Sequence, residues 1–559
     1  MTRRMILLTA LASLCICPLA QAQTKVAKCP LASVQTLNEG WTFTLGDPAD
    51  AKGVKFDDSK WEKVSVPHDW MIRQPYSPDH PSAARNGCLP TGKTCWYRTT
   101  IDYTDRSVPA GPQTLVFDGL MSRADVYING VHLGHWPYGY APIAFDISKH
   151  INLTGKNTLA VRIDMSKKFP AARWYSGMGI IRNVKLISAP ANGLARPWPV
   201  TARVDNNSTA KEAKIDVVAR LTPASGIKRE VKHTLCDHKG NLVATANEKG
   251  VIVVKSPKLW SPESPYLYTL TTSVLSTSKG ALIDQHTTRI GIRTLAWSGK
   301  EGFLLNGKPC KIKGMCEHDD AAIEGAAKSV ETMRFRISLL KTMGCNAIRT
   351  AHNPRAAEFY DLCDEMGMLV MNEFFDGWYQ PKAAGDFGHE FAKYWKQVIT
   401  NVVRRDANHP CVFLWSVGNE IRGFKATKGI EVVAFLRALD PSRKSTAGLS
   451  GGALFDVAGF NGHGGMPGKL EHYHKAHPDQ PVILTEVPHT LQTRGFYRAA
   501  TWWRDRGRAK HEIKPLSKKQ IFFDGHKYFH SSYDNAGVRI NAQTCWNRTK
   551  NSPWIAGEF

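Results

Sequence analysis

Long hydrophobic runs are nearly absent from this sequence of 559 residues. The one exception is Met5–Ala20, which is short for the roughly 20 apolar residues of a transmembrane helix. Arg3 and Arg4 precede this run and the small-residue segment Ala20–Ala22 follows it, a pattern typical of a secretory signal peptide. We predict a signal peptide over residues 1–22, export to the periplasm or the medium, and no membrane span in the mature chain. An N-terminal anchor helix is the alternative.

Cysteine patterns for metal binding are also missing. The 12 cysteines include no CxxC pair, so the sequence offers no support for a structural zinc site. Cys345, Cys363 and Cys411 lie in apolar stretches, where free thiols behave as small core residues. Cys88 and Cys95 flank a turn-like segment, and either a local disulfide or two free thiols would fit them.

Acidic residues are too few to balance the basic ones, and the formal net charge is +24. The basic residues are spread along the chain, so they do not predict a nucleic-acid partner. A basic surface on an exported protein is the simplest interpretation, and attraction to an acidic or sulfated glycan is the alternative. An apolar share of 42% excludes a disordered chain, and the length predicts about three domains or more.

The first half of the chain has the pattern of β-structure. Short alternating runs such as QTLVFDG (113–119) and ADVYING (124–130) end in Asp-Gly or Asn-Gly, which favours strands and hairpins. These runs predict a β-sandwich over residues 23–195. A second set, including AKIDVVAR (213–220), predicts an immunoglobulin-like sandwich over residues 196–296.

The second half alternates between apolar strands and helices. Helices are predicted over Ser329–Met343 and Ala356–Met366, and this alternation favours parallel strands in a (β/α)8 TIM barrel over residues 297–559. A doubly wound sheet is the alternative, but no glycine-rich phosphate loop opens the first unit. The final WIAGEF (554–559) resembles the start of the eighth strand. We therefore expect the barrel to be incomplete there, weakly stable and poorly active.

Three glutamates stand at the ends of predicted barrel strands: Glu373, Glu420 and Glu486. An ionised carboxylate is costly to bury, so we expect these side chains to project into a cleft at the C-terminal face. Glycoside hydrolysis uses two such carboxyl groups, one protonated and one ionised. Like charges in proximity push their pKa values apart and create this division of labour.

Several segments resemble glycoside hydrolase family 2, which includes β-galactosidases, β-glucuronidases and β-mannosidases. The stretch NHPCVFLWSVGNE (408–420) resembles the acid/base motif of the family, and RWYSGMGIIR (173–182) resembles the signature of its sugar-binding sandwich. Shorter matching blocks are NGKP (306–309), IRTAHNP (348–354) and MNE (371–373). The resemblance runs from about residue 37 to the last residue and implies a jelly-roll-like first sandwich.

The resemblance implies a role for each matching residue. Glu420 takes the position of the general acid/base, and Glu486 takes that of the nucleophile of a retaining enzyme. Asn419 matches the residue that holds the sugar 2-hydroxyl. The remaining predicted substrate-binding residues are His318, His352, Glu373 and Asp319. No cofactor is implied.

Some positions depart from the family pattern. Some members bind Mg²⁺ through the equivalent of Glu373 and a histidine two residues later, where this chain has Phe375, so we predict no metal site. In GFNGH (459–463) the tyrosine that orients the nucleophile in many relatives is missing, and His463 is the candidate substitute. Asp319 and the next residue stand where close relatives often have a second histidine.

The leading hypothesis is a retaining exo-β-glycosidase, most similar to β-galactosidases, acting on glycans with terminal β-linked sugars. A β-glucuronidase or β-galacturonidase is the first alternative, and it would need Arg or Lys beside the sugar carboxylate. A non-catalytic carbohydrate-binding protein is the second, favoured by the short C-terminal end. The sequence leaves the oligomeric state open.

Overall fold

A computed structural model describes residues 31–487 and 542–559, except for 78, 81–85, 87–88, 91, 105–107, 110, 247–249, 279, 449–451 and 463–467. The predicted signal peptide, Cys88 of the possible disulfide and His463 lie outside the described residues. Within the described part, no helix is both long and apolar enough to cross a membrane.

The described residues up to 188 form a β-sandwich of one four-stranded and one six-stranded sheet. The alternation of the sequence explains the burial: in the run 124–128, Ala124, Val126 and Ile128 point inward and are fully buried. A short 3₁₀ turn covers Met71–Arg73. The strands are β1 (Ser33–Thr36), β2 (Trp41–Leu45), β3 (Glu62–Val64), β4 (Thr94–Asp102), β5 (Gln113–Phe117), β6 (Ala124–Ile128), β7 (Val131–Trp136), β8 (Ile143–Asp146), β9 (Lys156–Asp164) and β10 (Val184–Ser188).

A second, smaller sandwich follows, with sheets of three and four strands among the described residues. Seven short antiparallel strands in two sheets match the predicted immunoglobulin-like architecture. Its core is a separate apolar cluster that includes Ile215, Leu235 and Leu270. The strands are β11 (Val200–Val204), β12 (Glu212–Ala219), β13 (Arg229–Cys236), β14 (Leu242–Ala246), β15 (Val251–Lys255), β16 (Tyr268–Ser276) and β17 (Leu282–Ile290).

The remaining chain forms a small three-stranded sheet and then a closed parallel barrel. The small sheet contains β18 (Leu295–Ser298), β19 (Gly302–Leu305) and β20 (Lys308–Pro309). The barrel strands are β21 (Ile312–Glu317), β22 (Ala347–Thr350), β23 (Leu369–Glu373), β24 (Val412–Asn419), β25 (Lys444–Gly448), β26 (Ala458–Asn461), β27 (Val482–Glu486) and β28 (Ile555–Glu558). The predicted TIM barrel is thus confirmed.

Helices lie between the barrel strands, and local signals set their ends. The side chain of Ser329 caps the first helix by accepting a hydrogen bond from the Thr332 amide. The second helix ends at Gly367, whose φ of 69° is the left-handed conformation of a C-cap. The helices are α1 (Val330–Thr342), α2 (Ala357–Met366), α3 (Phe391–Asp406), α4 (Ala426–Leu439), α5 (Lys469–Ala476) and α6 (Ala542–Asn551), with 3₁₀ turns at Phe387–His389 and Gly452–Leu454.

The expectation that the eighth strand leaves the barrel incomplete is wrong. Strand β28 pairs with β21 through Gly557 and with β27 through Ile555, so it closes the ring on both sides. Four residues are enough because β22 and β26 also have only four. The last residue, Phe559, exchanges backbone hydrogen bonds of 3.0 and 2.8 Å with Leu484 and Val487.

The first sandwich is anchored to the loops at the C-terminal face of the barrel. The Tyr138 hydroxyl donates to the carbonyl of Phe374 at 2.7 Å. The Arg123 guanidinium donates to the carbonyl of Gly385 at 2.7 Å. Within the segment 173–182, Arg173 and Arg182 bind carboxylates that follow barrel strands, so this segment also lies over the strand ends.

Candidate active site

The three strand-end glutamates meet at the C-terminal face of the barrel. Glu373 ends β23, Glu486 ends β27, and Glu420 directly follows the last residue of β24. The fully buried Arg349 of β22 joins two of them. Its guanidinium donates to Glu373 at 2.9 and 3.0 Å and to Glu486 at 3.1 Å.

Glu420 and Glu486 share one hydrogen-bond donor. The side-chain amide nitrogen of Asn461, at the end of β26, lies 3.3 Å from Oε1 of Glu420 and 3.2 Å from Oε2 of Glu486. The distance between these two carboxylate oxygens therefore cannot exceed the combined length of the two contacts. Retaining glycosidases hold their carboxyl groups about 5–5.5 Å apart and inverting ones about 6.5–9.5 Å. The shared donor shows that both carboxyl groups face the same part of the cleft.

Asn461 is a residue that sequence reasoning missed. Its side-chain oxygen accepts a hydrogen bond of 2.6 Å from the Thr485 hydroxyl, so its nitrogen is directed at the carboxylates. Asn461 therefore helps to orient Glu486, the predicted nucleophile, for which the sequence offers no orienting tyrosine. The signal was available, because Asn461 ends a barrel strand just as the three glutamates do.

Glu420 has an unusual backbone. Its φ is 41°, in the left-handed region that a residue with a side chain seldom adopts. Its amide donates to the carbonyl of Gly448 at 2.7 Å, which fixes this conformation against the neighbouring strand. Such strain concentrates at functional sites, where surrounding structure imposes it.

Glu373 supports the site from below the cleft. It is fully buried, with His352 Nδ1 at 2.6 Å from one carboxylate oxygen and the Ser416 hydroxyl donating to the other at 2.6 Å. Burial alone would raise its pKa, but the charge of Arg349 and the contact with His352 hold the pKa of Glu373 below its usual value. The expectation that Glu373 projects into the cleft is thus wrong, because Arg349, His352 and Ser416 offset the cost of burying its charge. Both oxygens are occupied, so Glu373 orients Arg349 and His352.

An aromatic wall borders the two histidines. The ring of Trp174 lies 4.8 Å from that of His318 and 5.3 Å from that of His352. His318 is exposed, whereas His352 is 5% exposed. Trp174 comes from the first sandwich, so sequence reasoning did not connect it to the barrel residues, although it lies within the family-like segment 173–182.

Asn419 is held on both sides of its amide. Its oxygen accepts hydrogen bonds from Arg349 at 2.9 Å and Asn461 at 2.8 Å, and its nitrogen donates to Asp376 at 3.0 Å. Asp376 itself binds Arg173 of the first sandwich at 2.8 and 2.9 Å. Asp376 and Arg349 are further residues that the sequence analysis did not identify.

Asp376 remains ionised despite its burial. Burial raises its pKa, but the nearby charges of His352, Arg173 and Lys382 hold the pKa of Asp376 well below the usual range. The Lys382 ammonium lies 2.8 Å from the Asp376 carboxylate and also donates to the Asn419 carbonyl at 2.6 Å. This network fixes Asn419 beside Glu420.

Asp319 is placed differently from the other predicted residues. One of its oxygens lies 2.7 Å from the Lys328 ammonium, and the other accepts from Arg182 of the first sandwich at 2.7 Å. The residue is only 5% exposed. The geometry therefore favours a role in joining sandwich to barrel over the predicted contact with sugar.

Phe375 occupies the position where some relatives have a metal-binding histidine. It is 1% exposed, and its ring stacks on Phe387 with centroids 5.4 Å apart. A phenyl ring supplies no oxygen or nitrogen ligand for Mg²⁺, so the residues here do not fit that ion. Within the described residues, no three or more His, Cys, Asp or Glu side chains are grouped to hold a metal.

Three models of one family match most of the chain. Residues 299–504 match the TIM barrel domain of the glycosyl hydrolases family 2. Residues 194–293 match the model described as glycosyl hydrolases family 2. Residues 70–175 match the glycosyl hydrolase 2 galactose-binding domain-like model.

Individual proteins show the same relationship. A Formosa agariphila protein whose name assigns it provisionally to the beta-glucuronidases is 38% identical over 93% of this chain and 51% of its own length. The beta-galactosidase BoGH2A of Bacteroides ovatus is 35% identical over 82% of this chain and 60% of its own. The chain thus spans between half and two thirds of these relatives.

Solved structures agree with this relationship. The crystal structure of a beta-glycosidase from Bacteroides vulgatus superimposes with a TM-score of 0.84 and 36% identity, over 94% of this chain and 70% of that one. The matches to the family models and to this structure cover both sandwiches and the barrel. The chain belongs to glycoside hydrolase family 2.

Proposed function

We propose that this chain is a retaining exo-β-glycosidase that removes terminal β-linked sugars, with β-galactosides as its preferred substrates. The observation that carries the proposal is the amide of Asn461 bridging Glu420 and Glu486, because a donor shared by both carboxyl groups keeps them close enough to act on the same glycosidic bond. The partial exposure of both side chains supports access to substrate; the Glu486 side chain is 27% exposed.

The proposed reaction has two steps. Glu486 attacks the anomeric carbon while Glu420 gives its proton to the departing oxygen, so the glycosidic bond breaks as the glycosyl-enzyme ester forms. Glu420 then takes a proton from water, whose oxygen attacks the anomeric carbon and releases Glu486. Asn419 is assigned to the sugar 2-hydroxyl, and its three hydrogen bonds to the protein support this role by fixing its side chain.

The charges around the site support a neutral sugar. Among the described residues, the cations that contact the carboxylates and Asn419 of the site are Arg349, Arg173 and Lys382, and each already binds a carboxylate of the protein. A uronic acid would need a cation for its own carboxylate. The relatives carry the names of both beta-galactosidases and beta-glucuronidases, so a glucuronide is the natural competitor in the assay. The N-terminal pattern supports export as the place of action.

The test compares matched aryl β-glycosides: galactoside, glucuronide, galacturonide, glucoside and mannoside. We expect the galactoside to have the highest kcat/KM and the first product to keep the β configuration when followed by NMR. A β-glucuronide preference would overturn the sugar assignment, and an α product would overturn the retaining mechanism. Binding of galactose without any turnover would support the carbohydrate-binding alternative instead.

Variants assign the two carboxyl groups. Glu486→Gln should abolish hydrolysis, because an amide cannot form the ester intermediate. Glu420→Ala should slow substrates with poor leaving groups most, and azide should rescue it. The exposed Glu301→Gln, which removes a glutamate in a turn of the small sheet, serves as the control. An active Glu486→Gln enzyme, together with no azide rescue, would refute the assignment.

A further inference from the structure

A cavity of about 450 Å³ opens beside Ile421 and Arg422, the residues that follow Glu420. It lies between the loops that follow β23 and β24 and the first turns of α4. Its volume falls within the roughly 300–1,000 Å³ of small-molecule binding sites. Its walls include Trp378, Tyr379, Arg422, Lys425 and Lys428.

If the proposed function holds, the position of this cavity suits the leaving group of the reaction. Glu420 gives its proton to the departing oxygen, so the leaving group must lie on the Glu420 side of the scissile bond. Ile421 and Arg422, the next two residues along the chain, line the cavity. The cavity is therefore adjacent, along the chain, to the residue that protonates the departing oxygen.

The charge of the cavity differs from that of the catalytic site. Arg422 and Lys425 are exposed, and their side chains have no hydrogen-bond or ion-pair partner among the described residues. Glu431, the acidic residue of the lining, is already bound by Lys428 and also lies 3.6 Å from Lys396. Two positive charges thus face the cavity without compensation.

The cavity also offers aromatic surface. Tyr379 is 41% exposed, and its ring is braced by an edge contact of 4.9 Å with Phe391. Trp378 is 1% exposed and donates from its indole nitrogen to the Val417 carbonyl at 2.8 Å, so it forms a fixed floor. A flat ring beside two cations suits a sugar ring that carries a negative group.

We propose that this cavity is a leaving-group subsite for a sugar bearing an anionic substituent, either sulfate or carboxylate. Arg422 and Lys425 bind the anion, and Tyr379 packs against the sugar ring. The substrate would then be an acidic or sulfated glycan that ends in a neutral β-linked sugar.

The test uses β-galactosyl disaccharides whose reducing-end sugar carries a sulfate, a carboxylate or no charge. The wild-type chain should hydrolyse at least one charged disaccharide with higher kcat/KM than the uncharged one. The double variant Arg422→Gln/Lys425→Gln should lower this charged-to-uncharged ratio about fivefold or more, as expected for two exposed ion pairs. Raising the salt concentration to about 1 M should reduce the wild-type ratio in the same way.

The double variant Lys239→Gln/Lys300→Gln removes the same charge from exposed turns far from the cavity and should leave the ratio unchanged. Tyr379→Ala should lower kcat/KM for charged and uncharged disaccharides alike. If the double variant at Arg422 and Lys425 folds poorly, each single variant is measured instead. Equal wild-type kcat/KM for all three disaccharides, or an unchanged ratio in the variants, would overturn the proposal.

Direct binding separates this proposal from the proposed function. Calorimetry with the inactive Glu486→Gln chain should show tighter binding of the sulfated or the carboxylated disaccharide than of the uncharged one, and the comparison identifies which anion is preferred. If no glycoside is hydrolysed by the wild-type chain, the proposed function fails while this binding difference still decides the subsite. Equal affinities would refute the subsite.

Discussion

Replacing Arg349 with glutamine should destabilise the barrel strongly. Arg349 and Glu373 are both fully buried, and their charged atoms lie 2.9 Å apart. Glutamine can donate a hydrogen bond but carries no charge, so the buried Glu373 would either stay ionised without this cation or take up a proton, and both outcomes cost folding free energy. Removing one member of a buried ion pair costs about 3–5 kcal/mol. At about 2–4 °C per kcal/mol for a domain of this size, the melting temperature should fall by roughly 10 °C.

The loss should also depend on pH. Arg349 is the main influence that lowers the pKa of Glu373 against the opposing effect of burial. A carboxyl group whose folded pKa is depressed contributes stability above its unfolded pKa, near 4.3, and that contribution is lost as the pH falls through the folded pKa. The difference in unfolding free energy between wild type and Arg349→Gln should therefore be full near pH 7 and shrink below about pH 4.

Urea unfolding at pH 7 and at pH 3 measures this difference directly. Arg334→Gln is the matched control, because Arg334 is half exposed and lies 3.7 Å from Glu365 at the surface. The unfolding free energy of the control should fall by less than about 1 kcal/mol at either pH. The reasoning is refuted if Arg349→Gln loses no more than the control, or loses equally at both pH values.

Three further outcomes are expected. Asn461→Leu removes the donor shared by Glu420 and Glu486 at similar volume, so kcat/KM should fall roughly 30–100-fold, about 2–3 kcal/mol; a loss under threefold in a steady-state assay would contradict this. Asp319→Asn weakens the link between the first sandwich and the barrel and should cost about 3 kcal/mol by urea unfolding; unchanged stability would count against the link. Hydrolysis should be insensitive to EDTA because Phe375 replaces a ligand, and a several-fold loss restored by Mg²⁺ would show the prediction to be wrong.

The architecture could be predicted from the sequence because its signals are local. Alternation of apolar residues with Asn-Gly or Asp-Gly turns marks strands such as β6, and the change to alternating strands and helices after residue 297 marks the barrel. Burying an ionised glutamate costs free energy, so a glutamate at the end of an apolar strand is expected in the cleft at the C-terminal face of the barrel. For this reason the sequence alone predicts that Glu420 and Glu486 lie in one cleft.

The missed residues depend on contacts between distant segments. Arg349 lies within a buried strand, and its importance comes from Glu373 and Glu486, which are contributed by other strands. Trp174 belongs to a different domain from the histidines that it contacts. Closure by β28 was missed because a four-residue strand looks cut short in the sequence, whereas two other strands of the same barrel, β22 and β26, are equally short.

The left-handed backbone at Glu420 lowers the stability of the folded chain at a residue that the proposed reaction requires. A residue with a side chain pays about 1–2 kcal/mol for this conformation, whereas glycine adopts it readily. The same residue also places a second carboxyl group close to Glu486. By folding criteria alone, glycine would suit position 420 better than glutamate does. The position thus illustrates the general trade between stability and activity, in which a strained residue is retained for the chemistry it performs.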